Sequence, residues 1–298
     1  MSAPLVAFGM RAISTFSIVA RDPESGDLGI AVASKFLAVG AVVPYAKAHV
    51  GAVATQSYAN TSFGPRGIAA LEAGMPLTQI QAGFAETDPE YDRRQYGVVD
   101  AGGDSVTFTG DGCHPWAGGV ARPNVAAQGN LLTGPEVVEA LVETFEASVE
   151  PFPERLLSAL RAADLAGGDR RGRQSAALLV VREGGGYAGM SDRYIDLRVD
   201  DDPDPVTRLQ GLLGLHRLYF ERPAPEDLLL IDGEVQGRLL AILERTGRHP
   251  AAAGWNQDAE DALRSLAGVE NLEERMVAEG RIDRRALAHL ERLLAPEH

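Results

Sequence analysis

From Thr15 onward the chain faces two ways in turn. Phe16, Ile18 and Ala20 lie to one side and Thr15, Ser17 and Val19 to the other, which is the period of two of a strand. The run Arg21 to Asp27 carries turn chemistry in Asp22-Pro23 and Ser25-Gly26, and Leu28 to Ser34 reads as the returning strand. Further strands are predicted over Ala41 to Val43 and Val50 to Gln56. Helical spacing then takes over. Gly64-Pro65 opens one helix that stops at Gly74, and Pro76 opens a second with Leu77, Ile80 and Phe84 on one face.

Strands return at Gln95 to Asp100 and Ser105 to Thr109, around the turn residues Gly102-Gly103-Asp104. A second helix pair follows, Pro135 to Ala147 and Pro153 to Leu165, with apolar stripes through Val138, Leu141 and Phe145 and through Leu156, Leu160 and Ala163. Ser175 to Val181 is nearly all apolar and reads as a strand buried on both faces; Tyr187 to Val199 reads as one more strand. Hairpins on either side of helix pairs predict an α+β fold, a four-layer αββα sandwich of two antiparallel sheets between helical layers. A doubly wound parallel sheet needs strict alternation of strand and helix, which the pattern lacks. Beyond the proline linker Glu221 to Pro225 the spacing is helical over Val235 to Arg245, Asp258 to Leu266, Leu272 to Glu279 and Arg284 to Leu294. The expected domains are an N-terminal extension over 1–14, a core over 15–222 and a small all-α C-terminal domain over 223–298.

Charge and composition narrow the partners. A formal charge of −14 argues against nucleic acid, whose binding draws on Lys and Arg, and against an anionic membrane surface. The single cysteine, Cys113, excludes an internal disulfide and a zinc site built on several cysteines. Met1 to Ala20 carries Arg11 and no long apolar run, so it does not read as a secretory signal, and no stretch approaches the about 20 apolar residues of a membrane helix. The expected location is the cytoplasm. Asp200-Asp201-Asp202 with Asp204 is dense enough for calcium or magnesium, yet it lacks the alternation of an EF-hand loop and reads as a rigid solvated turn. No metal or other cofactor is called for.

Several segments together carry a resemblance: Thr15 to Asp22, Val32-Ala33-Ser34-Lys35-Phe36, Val39 to Pro44, Gly51 to Ser57, Phe63-Gly64-Pro65-Arg66-Gly67, Arg94-Gln95, Gln128-Gly129-Asn130 and Ala166 to Ala177. This set resembles the family named domain of unknown function 1028, over about Ile13 to Leu218, which implies an N-terminal-nucleophile (Ntn) hydrolase-like fold. Trp255 and Gly268 to Arg275 resemble a peptidoglycan-binding-like helical module often appended to that family. A wall-binding role fits poorly without an export signal, so a lid or dimerisation role is expected, and with it a homo-oligomer, dimer or higher.

The resemblance also implies candidate chemistry. Ntn hydrolases use a Thr, Ser or Cys at the start of the first core strand as nucleophile and its own α-amino group, of pKa about 7.7–8.0, as base. Thr15 stands at that place. Fourteen residues precede it, so either the extension is removed between Ser14 and Thr15, or the chemistry differs, or there is none and Thr15 is an ordinary strand residue. Ser34 falls where related peptidases keep an acidic residue beside the nucleophile, and Lys35 next to it can lower a hydroxyl pKa. Lys47 reads as a solvated lysine. Gln56 and Ser57 end a strand where a backbone N–H can serve an oxyanion, and Asn130 can orient a substrate amide, or form a turn before a helix. Asp169 matches loosely an Asp near the nucleophile of related peptidases, or pairs with Arg171. Cys113 and His114 are adjacent on extended chain and point apart, so Cys113 reads as a small buried residue. Thr15, Ser34, Lys35 and the Gln56-Ser57 backbone are expected to converge on one pocket. Two functions follow: an Ntn-type amidohydrolase acting on a small amide or peptide substrate, or a non-catalytic binding or assembly protein that retains the fold.

Overall fold

The computed structural model describes residues 15–276 and 279–294; the extension expected over 1–14 and part of the helix expected over Leu272 to Glu279 lie outside them. The first hairpin forms as its alternation dictates. Strand β1 (Thr15–Arg21) pairs antiparallel with β2 (Leu28–Ser34), from Thr15↔Ser34 to Arg21↔Leu28. In the turn between them, Asp22 Oδ2 accepts from the Ser25 hydroxyl at 2.7 Å and Gly26 takes a φ of 78°.

The strand expected over Ala41 to Val43 is corrected. Val39–Ala41 is a short 3₁₀ turn, and strand β3 starts after it, at Pro44–Lys47. Val39 and Val43 are both fully buried, at the spacing of a helical turn, and the Val42 and Val43 amides both donate to Val39 O at 3.1 Å. Gly40 lets this turn lie against the neighbouring strand, since a Cβ there would come within 2.5 Å of Ala177 Cβ.

β4 (Gly51–Ser57) leads into α1 (Phe63–Glu72) and α2 (Leu77–Thr87), then β5 (Arg94–Asp100) and β6 (Ser105–Thr109). A hairpin that the pattern does not predict follows, β7 (Gly118–Arg122) and β8 (Val125–Gly129). After it come α3 (Glu136–Ala147), α4 (Phe152–Leu165), β9 (Ser175–Val181) and β10 (Arg193–Val199). β10 starts later than Tyr187 because 187–189 forms a 3₁₀ turn. Helix α5 (Pro205–Phe220), also not predicted, carries the chain onward.

Two antiparallel sheets result, β10-β9-β2-β1-β8-β7 and β3-β4-β5-β6. One apolar cluster draws on both: Val19, Leu28, Ile30 and Val32 from the larger sheet meet Ala52, Ala54 and Val99 from the smaller. Helices α3 and α4 pack on the larger sheet. Gly29 makes that approach possible, since a Cβ there would lie 2.6 Å from Leu156 Cδ1. On the smaller sheet, Val53, Tyr96 and Val98 pack with Phe63 of α1 and Ile80 and Phe84 of α2. The Phe63 and Phe84 rings stack at 4.1 Å and both meet Tyr96 edge-on. The fold is mixed α and β, of the α+β kind.

The chain divides into two compact units, one up to Leu212 and one from Leu213 on, with the division inside α5. The second unit holds β11 (Leu228–Leu230), α6 (Gly233–Arg245), α7 (Gln257–Val269), β12 (Arg281–Asp283) and α8 (Arg284–Glu291). It is therefore not wholly helical as expected, because β11 and β12 pair antiparallel through Leu229↔Ile282. Its core is its own: Leu239, Ile242 and Leu243 meet Leu263, Leu266, Ile282 and Leu287. Within that unit Arg275 and Asp283 form a buried ion pair at 3.2 Å, and Arg275 Nε donates to Leu218 O at 2.8 Å.

Candidate functional site

Thr15 lies on β1, between β2 and β8. It is paired with Ser34 on one side, and Asn130 N–H donates to Thr15 O at 3.0 Å on the other, continuing the Phe16↔Gly129 and Ser17↔Gln128 register. Side chains alternate along β1, so Thr15 and Ser17 share the face that Val19 turns to the inter-sheet core. On that face Thr15 Oγ1 donates to Ser34 Oγ at 3.3 Å. The first row across the sheet is therefore Ser34, Thr15, Asn130.

Opposite this row stand Gln56 of β4 and Gln95 of β5, a register pair. Gln56 Nε2 donates to Thr15 O (3.2 Å), Gln128 O (3.3 Å) and Gln95 Oε1 (2.9 Å), and the Ser17 hydroxyl donates to Gln56 Oε1 at 2.6 Å. Gln128 Nε2 donates to Ser17 Oγ at 2.7 Å. Gln95 Nε2 donates to Gly129 O (2.7 Å) and Thr109 Oγ1 (2.9 Å), and Asn130 Nδ2 donates to Gln95 Oε1 at 2.9 Å. Thr15, Ser17, Ser34, Gln56, Gln95, Gln128 and Asn130 are each 2% exposed or less. A polar network buried this deeply is tolerated because its members bond to one another, although Asn130 Oδ1 has no partner among the described residues. Its groups are hydroxyls and amides, without a titrating side chain.

Asp169 borders the row from the loop between α4 and β9. Its carboxylate accepts from the Lys35 N–H (3.0 Å), the Arg171 N–H (2.9 Å) and the Arg171 guanidinium (2.7 Å). It thus pins the end of β2 beside Ser34. Lys35 contributes this backbone N–H, while its ammonium turns outward and donates to Arg173 O at 3.1 Å. A cavity of about 390 Å³ opens here, lined among others by Phe16, Ser34, Gly167, Asp169 and Arg173. Of the residues expected to share one pocket, Ser34 lines this cavity, and Thr15, Lys35, Gln56 and Ser57 do not.

Ser57 takes a φ of 68°, which turns its side chain off the strand alternation. Its hydroxyl lies by the Cys113 thiol without a hydrogen bond of good geometry. Burial pushes the Cys113 thiol up, against a smaller opposing pull from Ser57, and its Sγ donates to Arg94 O at 3.4 Å. That is the setting of an inert thiol. His114 Nε2 instead meets Tyr58 OH at 3.0 Å, with the Arg93 guanidinium 3.7 Å over the Tyr58 ring. Lys47 pairs with Glu72 at the surface and His49 with Glu183. Among the described residues no group of three or more His, Cys, Asp or Glu side chains is placed to hold a metal ion. In the acidic turn, Asp201 accepts from Gln174 and Asp202 from the Asp204 N–H.

The structure thus brings Thr15, Ser34, Gln56 and Asn130 together, with Asp169 and the Lys35 backbone adjoining. It turns the Lys35 ammonium and the Ser57 side chain elsewhere. Ser17, Gln95 and Gln128 belong to the network and are not among the candidate site residues that the sequence offers. Ser17 and Gln128 carry a partial signal, as polar strand residues whose neighbours two positions away are buried; Gln95 does not, since Arg93 before it is only half-buried.

Residues 15–209 match the model of a family described as "Family of unknown function (DUF1028)", and residues 219–290 that of a "Putative peptidoglycan binding domain". Among solved structures the chain is similar to a Silicibacter pomeroyi protein assigned to the same DUF1028 family. The two share 29% identity with a TM-score of 0.62, over 75% of this chain and 89% of that one. Comparison with curated proteins gives no match.

Proposed function

The chain belongs to the DUF1028 family of unknown function, and from that premise we propose that its core is an Ntn-hydrolase-like αββα sandwich acting as an amidohydrolase on a small amide or peptide bond. Thr15 is the nucleophile, and it becomes active when the peptide bond between Ser14 and Thr15 is broken. The observation that carries this reading is the position of Thr15: on a central strand between β2 and β8, with its hydroxyl 3.3 Å from that of Ser34.

The chemistry requires the release. A threonine hydroxyl needs a base to attack a carbonyl, and the surrounding amides and hydroxyls cannot take a proton at neutral pH. The freed α-amine can. It accepts the hydroxyl proton as Oγ1 bonds to the substrate carbonyl carbon, then passes that proton to the departing amine as the C–N bond breaks. Water, deprotonated by the same amine, cleaves the resulting ester and restores the hydroxyl. Ser34 orients Oγ1, and Asp169 holds the end of β2 on which Ser34 sits.

A second reading, a binding or assembly protein that keeps the fold, is favoured by one observation: the Lys35 ammonium is engaged by Arg173 O, so Lys35 does not support the hydroxyl. Activity separates the two. A chain begun with Met directly before Thr15 sheds the Met, since the next residue is small, and displays the amine. Against a panel of short peptides and acyl-amides it should exceed the full chain by about 10²-fold or more, the usual worth of a general base. Equal activity in both contradicts the release, and no activity in either leaves the binding reading.

A further inference from the structure

The amide groups of the inter-sheet network can be oriented from the backbone carbonyls they touch. Gln95 Nε2 faces Gly129 O (2.7 Å) and Gly118 O (3.3 Å), which only accept, so its other atom, Oε1, is an acceptor. Whatever meets Oε1 is a donor, which fixes Gln56 Nε2 and Asn130 Nδ2, both at 2.9 Å. Thr15 O and Gln128 O fix Gln56 the same way independently. Asn130 is therefore held with Oδ1 as its remaining atom. That oxygen is fully buried and has no hydrogen-bond partner among the described residues. An acceptor in this state points to a donor that completes it.

The register says where that donor is. Asn130 is the cross-strand neighbour of Thr15 on the inter-sheet face, so their side chains stand side by side. Resting on the reading that Thr15 is released, we propose that Asn130 Oδ1 accepts a hydrogen bond from the α-ammonium group of Thr15, with Gln95 the positioning residue that turns it there. The role follows from polarity: a side chain held by its nitrogen offers an oxygen, an oxygen takes a donor, and the released ammonium brings N–H donors to that row.

Few charges compete at this end. From β2 and the loop after α4 come Lys35, engaged by Arg173 O, and the Asp169–Arg171 pair at 2.7 Å. From β5 comes Arg94, paired with Asp88 at 2.8 Å. Beyond Ser57 of β4 lies the Cys113 thiol, raised by burial and so neutral when the amine titrates. β8 presents the neutral Asn130.

The test is a titration of the ¹⁵N-labelled Thr15 amine, by NMR, in the chain begun at Thr15. An acceptor stabilises the ammonium, so its removal lowers the amine pKa. Asn130→Leu should lower it by about one unit, the usual scale for a hydrogen bond to a charged group. Gln95→Met, which does not touch the amine, should lower it similarly. Gln128→Met, which removes a comparable buried amide bound to Ser17, should leave it unchanged. In the unsubstituted chain the Asn130 side-chain amide signals should move with the amine's own midpoint, which decides the matter even if the variants fold poorly. An amine that titrates alike with and without Asn130, or Asn130 signals that ignore it, overturns the proposal; a shift with Asn130→Leu but none with Gln95→Met overturns the role of Gln95. The readout does not depend on turnover. An inactive chain showing the shift contradicts the hydrolase reading and keeps this contact, and an active chain without it does the reverse.

Discussion

Thr15 sits in a row of neutral groups, and what distinguishes it from an ordinary strand residue is the polarity around it. Gln56 is the hub: it supports Thr15 O, bonds Gln95 and accepts from Ser17. Gln56→Leu removes all of these and strands buried partners, so it should cost about 3 kcal/mol in chemical denaturation. Ser57→Ala removes a hydroxyl without a well-formed bond and should cost under about 1 kcal/mol; equal losses would contradict the network as drawn. Much of this site was legible as polar residues at strand ends, since Thr15, Ser34, Gln56 and Asn130 all are such. Gln95 and Gln128 were not picked out, because alternation says which face a residue takes and not which distant strand it meets. Lys35 misleads for a related reason: its place next to Ser34 is fixed by sequence, but a long flexible stem can carry the charge away.

At the scale of elements, the strands that alternate cleanly were readable and the diluted ones were not. β7 and β8 contain Gly118, Gly119, Gln128 and Gly129, which erase the apolar period that identifies a strand. Val39 to Val43 is rich in β-branched residues yet coils, because tertiary packing of Val39 and Val43 overrides propensity. The junction of α2 and β5 shows another contact hidden from local pattern. Arg94, at the start of β5, forks onto Asp88 at 2.8 and 3.1 Å, and Asn60 donates to the same carboxylate at 2.7 Å. Burial alone would raise the Asp88 pKa, but the bonds from Arg94, Asn60 and the Glu90 N–H outweigh it and lower it to about 2. A depressed carboxylate pKa adds stability above the unfolded value, near 3.8, and loses it as pH falls through the folded one. Asp88→Asn should therefore cost about 2 kcal/mol at pH 7, and the difference from the parent should close between about pH 4 and pH 2. A pH-independent difference would contradict the ion pair as its cause.

At the scale of the whole molecule, two units have separate cores, so damage to one should be read in that one. Arg275→Met leaves Asp283 buried without its partner, which typically costs about 3–5 kcal/mol. Calorimetry should show the second unit's transition lowered and the first unit's unmoved; a single transition shifting as one would contradict separate units. The function proposed here rests on the first unit and on one covalent event, the loss of the acyl group on the Thr15 nitrogen. The measurement that reaches it most directly is mass mapping after reaction with a β-lactone, an electrophile that acylates activated hydroxyls. In the chain begun at Thr15, one adduct is predicted, on the tryptic peptide Thr15–Arg21, and it should be lost with Thr15→Ala. The full chain should remain unmodified at Thr15. An adduct on Thr15 to the same extent in both chains, an adduct on Cys113 instead, or none on Thr15 once its amine is free would contradict the account.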